Sequence, residues 1–223
     1  MRRLGKFLLF SALFVGAVVA AYKFAFPTYT HRYRLVVTIQ IDDRSYTGSS
    51  VIEVRWIGQP KFGDASPFIP AVAGEAAVVE LPGHRAVIAA LRGGVSEFDR
   101  SINASLLAIQ AFQLSGFEGY REITKQTGRR ELSPDNMPLL LWLSDIADPK
   151  TARPITTAHI PELVGPNARL ASVSIEMTGD PVAIDIDRKL PWLKALRAEE
   201  KNGVLSRPGV FKLVHEMFVG LDS

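Results

Sequence analysis

Cysteine is absent from all 223 residues, which excludes disulfides, thiolate metal sites and an acylated-cysteine lipoprotein anchor. That absence suits reducing and oxidising compartments alike, so it settles neither side of a membrane. A strong charge of one sign is also missing. There are 26 Lys and Arg against 23 Asp and Glu, and residues 1–26 hold Arg2, Arg3, Lys6 and Lys23 with no acid. The remainder carries 22 basic and 23 acidic groups, so the formal charge of +3 belongs to the first segment. A nearly neutral body exerts no general attraction on phosphate, which argues against a nucleic-acid partner. Internal repeats and low-complexity tracts are lacking too. With 47% hydrophobic and 22% charged residues, the chain is globular, neither collagenous nor disordered nor polytopic.

What stands out is the start. After Arg2, Arg3 and Lys6, the run Phe7–Ala21 is interrupted only by Ser11 and Gly16, and Phe24-Ala25-Phe26 continues it past Lys23. Phe7–Phe26 is twenty positions, matching the roughly 20 helical residues that a hydrocarbon core of about 30 Å requires. Tyr22, Tyr29 and Tyr33 suit an interface, and Lys23 can snorkel. We favour a retained signal-anchor over residues 1–26, contacting the membrane through residues 4–26. The alternative is a signal peptide cleaved after Val19-Ala20-Ala21. Lys23, Arg32 and Arg34 nearly balance the basic residues ahead of the run, so the export-signal pattern decides the orientation. Residues from about 27 are expected in the periplasm of a bacterium, outside its inner membrane.

Residues 27–34 read as a basic linker and 35–223 as a single exported α+β domain, strand-dominated, with one or two packed helices. Tyr33 to Ile41 and Val51 to Trp56 alternate with period two around an Asp42-Asp43-Arg44 turn, which predicts a hairpin. A second hairpin is expected from Ala76–Leu81 and Arg85–Leu91 around Pro82-Gly83-His84. Gly58–Gly74 reads as a surface loop and Thr124–Asp135 as a polar one. Ser101–Leu114 has helical spacing, with Asp99 or Ser101 as its cap. Leu139–Leu143 is short and wholly apolar, a buried strand, and Leu170–Thr178 alternates again. After Pro191-Trp192 the tail reads as helical, with Phe211, Val214 and Phe218 on one face.

Chemistry-bearing patterns are sparse. Phosphate-loop, dinucleotide, zinc-protease and serine-hydrolase motifs are all missing. His31 falls in the basic linker and is expected at headgroups or water, His84 in a turn, His159 ahead of Ile160-Pro161 and His215 in the terminal helix; none is spaced as a metal ligand. Asp185 and Asp187 would face the same way on a strand and could share a cation. A solvated face neutralised by Arg188 and Lys189 is the favoured reading of that pair. Asp145 and Asp148 are a second acidic pair, for which a solvated face is favoured as well. Ser49 and Ser50 after Gly48 suggest a bulge rather than a nucleophile. Asn103-Ala104-Ser105 fits a glycosylation sequon, discounted on a bacterial helix. No catalytic, cofactor or metal residue is assigned.

Pro138-Leu-Leu-Leu-Trp-Leu-Ser-Asp-Ile-Ala-Asp-Pro-Lys-Thr151, Leu163-Val-Gly-Pro-Asn-Ala-Arg-Leu-Ala-Ser-Val-Ser-Ile-Glu-Met-Thr-Gly-Asp-Pro-Val182 and Lys189-Leu-Pro-Trp-Leu193 resemble stretches of a family of Gram-negative envelope proteins of unknown function. The opening Tyr33-Arg-Leu with Thr47-Gly-Ser-Ser-Val-Ile-Glu-Val54 is similar to it as well. The resemblance implies an amino-terminal membrane or export segment and carries over no site residues. A lipoprotein cysteine, frequent in such families, is not present. Asp148-Pro149 and Gly165-Pro166-Asn167 also read simply as turns, and Lys189–Leu193 as a loop locked by its indole. The leading expectation is a tethered, non-enzymatic binding or structural module, with another envelope protein as partner. One alternative is a hydrolase of envelope polymers using Asp145, Asp148, Asp185 and Asp187. The other is a lipid or small-ligand module with a pocket between sheet and 101–114 helix.

Overall fold

The computed structural model describes residues 2–92, 103–201 and 217–220, and the side chains of all of these but 2–10, 12 and 199–201. The protein is α+β and strand-dominated, as expected. Helix α1 (Arg2–Ala25) precedes the body. The described strands are β1 (Thr28–Ile41), β2 (Arg44–Gly58), β3 (Phe68–Ala73), β4 (Ala77–Leu81), β5 (Arg85–Ala89), β6 (Arg129–Glu131), β7 (Leu140–Leu143), β8 (Arg153–Ile155) and β9 (Ala168–Met177). Five form an antiparallel sheet in the order β3-β2-β1-β9-β6, and four a second in the order β4-β5-β7-β8.

β1 and β2 are the long hairpin that alternation predicts, but β1 starts earlier. Residues 27–34 are not a linker: Thr28 pairs with Ile57, and pairing is unbroken from there to Ile41 opposite Arg44. Tyr29 and His31 continue the inward face of Tyr33, Leu35, Val37 and Ile39, while Arg32 and Arg34 point to the outer face. Their charge resembled a linker because the outer face of this sheet is polar. The expected 58–74 loop is likewise shortened, since Phe68–Ala73 pairs with β2. Pro70 is tolerated there because β3 is an edge strand. Arg129–Glu131 pairs with β9 inside the expected 124–135 loop.

The sheets face each other across one core. Tyr33, Leu35, Val37, Ile39, Ile52, Val54, Val173 and Ile175 meet Ala77, Val79, Val87, Ala89, Leu140 and Trp142. Gly48 shows how closely: a Cβ there would lie 2.2 Å from the Val78 carbonyl oxygen, so β2 backbone packs on β4 backbone. The expected bulge at Gly48 is absent, and the β1–β2 register runs straight through it. Close approach, not irregular pairing, is what requires glycine.

Of the shorter helices, α2 (Ala104–Ala111), α3 (Gly116–Glu122) and α4 (Ile160–Val164) flank this core, and α5 (Ile186–Lys189) and α6 (Leu193–Lys201) cover the second sheet. α2 fulfils the expected helix; residues 99 and 101 lie outside those described, and Asn103 occupies the N-cap. The fully buried Tyr33 hydroxyl donates to the Ala104 carbonyl at 2.6 Å, tying α2 to β1. On the other face of the second sheet, Val78, Ala86, Ile88, Leu141 and Leu143 pack against Ile186, Leu190, Leu193 and Phe218. Phe211 and Val214 lie outside the described residues. Phe218 is in a short turn whose carbonyl accepts from Ala76 N–H at 2.7 Å, followed by a bridge from Val219 to Glu75.

Candidate functional site

Aromatic side chains concentrate where the five-stranded sheet meets α1. Only Phe26 and Pro27 separate α1 from β1. The Pro27 carbonyl accepts from Gly58 N–H at 3.1 Å, and a Cβ on Gly58 would lie 2.6 Å from that same oxygen. The chain leaving the helix is thus wedged against the end of β2. Beside it, Trp56 stacks on Tyr120 of α3 with ring centres 3.8 Å apart and planes 8° from parallel. Phe68 joins this pair edge-on at 5.5 Å and touches Tyr29 and Phe117 at 5.7 and 6.0 Å. Burial raises the Tyr120 phenol above its ordinary range.

Around that cluster lies an apolar rim. Phe62 is 78% exposed, Phe117 52%, Ile69 49% and Ile57 40%. Ile57 and Ile69 are a cross-strand pair on the outer face of the sheet. Phe117 lies on the inner side against Phe68, and Phe62 sits in the 59–67 loop. Four elements therefore place apolar side chains at one end of the sheet.

Deeper on the inner face are polar atoms without hydrogen-bond partners: both ring nitrogens of His31, the Trp56 indole N–H and the Ser50 hydroxyl. His31 is 5% exposed, contrary to the expectation that it meets headgroups or water. It lies opposite Val54, 6.2 Å from the Tyr33 ring, and burial lowers its pKa from 6.5 to about 4. Ser49 points out and Ser50 in, as neighbours on a strand must. They cannot act together.

The sequence acids do structural work. Asp145 and Asp148 accept from the backbone N–H of Ala147 and Lys150, both at 2.9 Å, shaping the turn after β7. Asp185 and Asp187 are not on a strand; Asp185 precedes α5 and Asp187 is in it. A single apolar residue between two acids fits a strand or a helical turn, and Ile186 is buried by the latter. Arg188 pairs with Asp185 at 3.5 Å, and Lys194, rather than Lys189, with Asp187 at 3.6 Å. The carboxylate missed from sequence is Glu75, buried ahead of β4, which accepts from Asp185 and Ile186 N–H at 2.7 and 2.8 Å. Burial raises its pKa, those two bonds lower it, and the nearby Asp185 and Asp187 charges raise it. Nothing in its Gly74-Glu75-Ala76 surroundings marks it.

His84 occupies the β4–β5 turn with φ of +58°, exposed as expected. His159 Nδ1 accepts from Thr156 N–H at 3.0 Å, completing a capping box, and His215 lies outside the described residues. Trp192 donates to the Ile146 carbonyl at 2.9 Å, fastening the 189–193 loop. Among the described residues no three histidines or acids gather as a metal site. Glu80, His84 and Arg85 line an open hollow of about 340 Å³, where Arg85 is already bonded to the Pro82 and Val164 carbonyls. Where a helix–sheet pocket is expected, Leu107, Ala108 and Ile109 of α2 are buried in the core. A hollow of about 130 Å³ at the start of α2 is below the 300 Å³ or so of ordinary ligand sites.

Among the residues whose side chains are described, Ser11 and those from Leu13 onward in α1, no helix is long and apolar enough to cross a membrane. No family model, curated protein or solved structure matches the chain.

Proposed function

We propose that the protein is a tethered envelope module of a Gram-negative bacterium: residues 4–26 anchor it in the inner membrane, and the two-sheet body stands in the periplasm. There it binds or supports another envelope protein rather than catalysing a reaction. The observation that carries this reading is the direct passage of α1 into the body. Leu13, Phe14, Val15, Val18 and Val19 are exposed on a helix that makes its junction with the sheet through only Phe26 and Pro27. Exposed apolar residues along a helix call for a lipid or protein environment. The resemblance over Tyr33–Val54 and Pro138–Leu193 to envelope proteins of Gram-negative bacteria supports this reading. The use of Asp145, Asp148, Asp185 and Asp187 in turns and ion pairs favours a binding role over the hydrolase alternative.

Expression of the full chain in such a bacterium, with alkaline phosphatase fused after Ser223, tests it. The expected result is an active fusion that stays in the membrane pellet through alkaline carbonate washing. An inactive fusion overturns the orientation, and a soluble cytosolic product with its leader intact overturns the anchor. An active, soluble fusion starting near Tyr22 would replace tethering by cleavage and export.

A further inference from the structure

We infer that the α1-proximal end of the five-stranded sheet rests in the headgroup layer of the bilayer, with Ile57, Phe62, Ile69 and Phe117 as its contact side chains. This rests on the anchored reading and adds a second contact to it. Covalent geometry is the first argument. The three Cα–Cα steps from Ala25 to Thr28 span at most about 11 Å, and here Pro27 is additionally held on Gly58, so the sheet end cannot leave the end of α1. A helix of 24 residues is about 36 Å long, enough to bring its Tyr22–Phe26 ring pair to the far interface of a core of about 30 Å. The sheet end is then at headgroup depth.

The chemistry of that end is the second argument. Aromatic and aliphatic side chains from β2, the 59–67 loop, β3 and α3 ring it on both faces of the sheet, and water would be a poor solvent for them. Large apolar rings are the side chains that membrane interfaces accept. The nearby charges are mixed: Lys61 and Asp64 are exposed in the loop, and Glu118 pairs with Arg121 at 2.9 Å on α3. Contact is therefore apolar and interfacial and makes no demand for anionic lipid. The opposite end of the sheet differs, since Asp42 and Asp43 close the hairpin there, about 46 Å away along the 14 residues of β1.

The lack of cysteine makes the test direct. Full-length protein carrying one nitroxide, at Phe62→Cys, Ile69→Cys or Phe117→Cys, is reconstituted into vesicles of phosphatidylethanolamine and phosphatidylglycerol. Labels at Leu13→Cys and Asp43→Cys serve as references. Collision rates with oxygen and with a water-soluble nickel chelate report depth. Labels 62, 69 and 117 are expected to favour oxygen, less than label 13 and in contrast to label 43. If they match label 43 while label 13 is in hydrocarbon, the surface contact is wrong and the anchor stands. A water-exposed label 13 removes the anchor and this contact with it. Line broadening at 62 and 117 that grows with protein density and vanishes on dilution in lipid would assign the rim to a second copy instead. Phe62 and Ile69 are exposed, so their variants fold even if Phe117→Cys disturbs α3.

Discussion

The two sheets solve burial differently. In the five-stranded sheet every second residue of β1 faces the core, and the residues between carry Arg32, Arg34, Thr38 and Gln40 to an outer face that is polar apart from a buried centre of Val36, Val51 and Ser174. The four-stranded sheet lies between that core and α5–α6, so Leu140–Leu143 is buried at every position. One sheet therefore has a side that tolerates change, and the other has none along its central strand, its exposed positions Glu80 and Arg153 lying on the outer strands β4 and β8. The clearest way to break this contrast is substitution at adjacent positions. Leu140→Ala and Leu141→Ala, which point to opposite faces of the second sheet, should each cost about 2–5 kcal/mol. In β1, Ile39→Ala should cost as much, but its neighbour Thr38→Ala less than about 0.5 kcal/mol. Urea unfolding of the four variants checks it; a mild Leu141→Ala would mean that the helical cover packs loosely.

The second test concerns pH. Unpartnered buried nitrogens occur on the inner face of the five-stranded sheet, at His31 and Trp56, and none among the described strands of the other. With its folded pKa lowered to about 4, His31 carries no protonation penalty above its unfolded value of 6.5. Stability is lost as pH falls from about 6.5 towards 4, because the unfolded chain takes up the proton first. The drop approaches about 3 kcal/mol. His31→Phe should flatten this part of the stability–pH curve and raise stability at neutral pH by about 1 kcal/mol. An unchanged slope would show that His31 is solvated in the folded protein.

The same contrast explains what was legible in the sequence. Half-buried strands announce themselves by alternation, so the β1–β2 hairpin and β9 are readable, and the wholly apolar Leu139–Leu143 marks a strand between two layers. Short edges are not readable. β3 contains Pro70 and β6 is three charged residues, so their pairing depends on a neighbour far off in sequence rather than on any local pattern. His31 was misplaced because its basic neighbours Arg32 and Arg34 masked the alternation with Tyr29 and Tyr33. The cover of the second sheet was hidden for another reason: α5 is four residues long, too short for periods of 2 and 3.6 to be told apart. The aromatic end was the least legible feature, since Trp56, Phe68, Phe117 and Tyr120 come together only through β3 pairing and the docking of α3.

Glu75 sharpens the comparison, because the second sheet needs its helical cover and this carboxylate holds the start of α5. Glu75→Ala leaves the Asp185 and Ile186 N–H groups without an acceptor and should cost about 1–3 kcal/mol. Glu75→Gln keeps an oxygen for both while removing a charge that burial and two aspartates disfavour. The raised pKa means that the wild-type contribution is fully present below the unfolded value and lost as pH rises through the folded one. The glutamine variant should therefore match or exceed wild-type stability at pH 7 and show no such loss. Thermal unfolding at pH 4 and pH 7 separates the two substitutions; equal losses for Gln and Ala would mean that the charge itself holds α5.

The smallest effect belongs to the outer face. Arg32 Nε lies 2.6 Å from Glu53 Oε2, with the Arg55 guanidinium 3.9 Å from the other carboxylate oxygen. Arg32 is more than a third exposed, so water and salt compete for its charge, while Glu53 is the more buried partner. A double-mutant cycle with Arg32→Ala and Glu53→Ala should give about 0.2–1 kcal/mol of coupling in dilute buffer, less at high salt. Such a value fits a face that stays wet, in keeping with its polar side chains. Coupling above about 2 kcal/mol that persists in salt would belong to a desolvated pair. The outer face would then be a covered layer like both faces of β7, and the contrast between the two sheets would be lost.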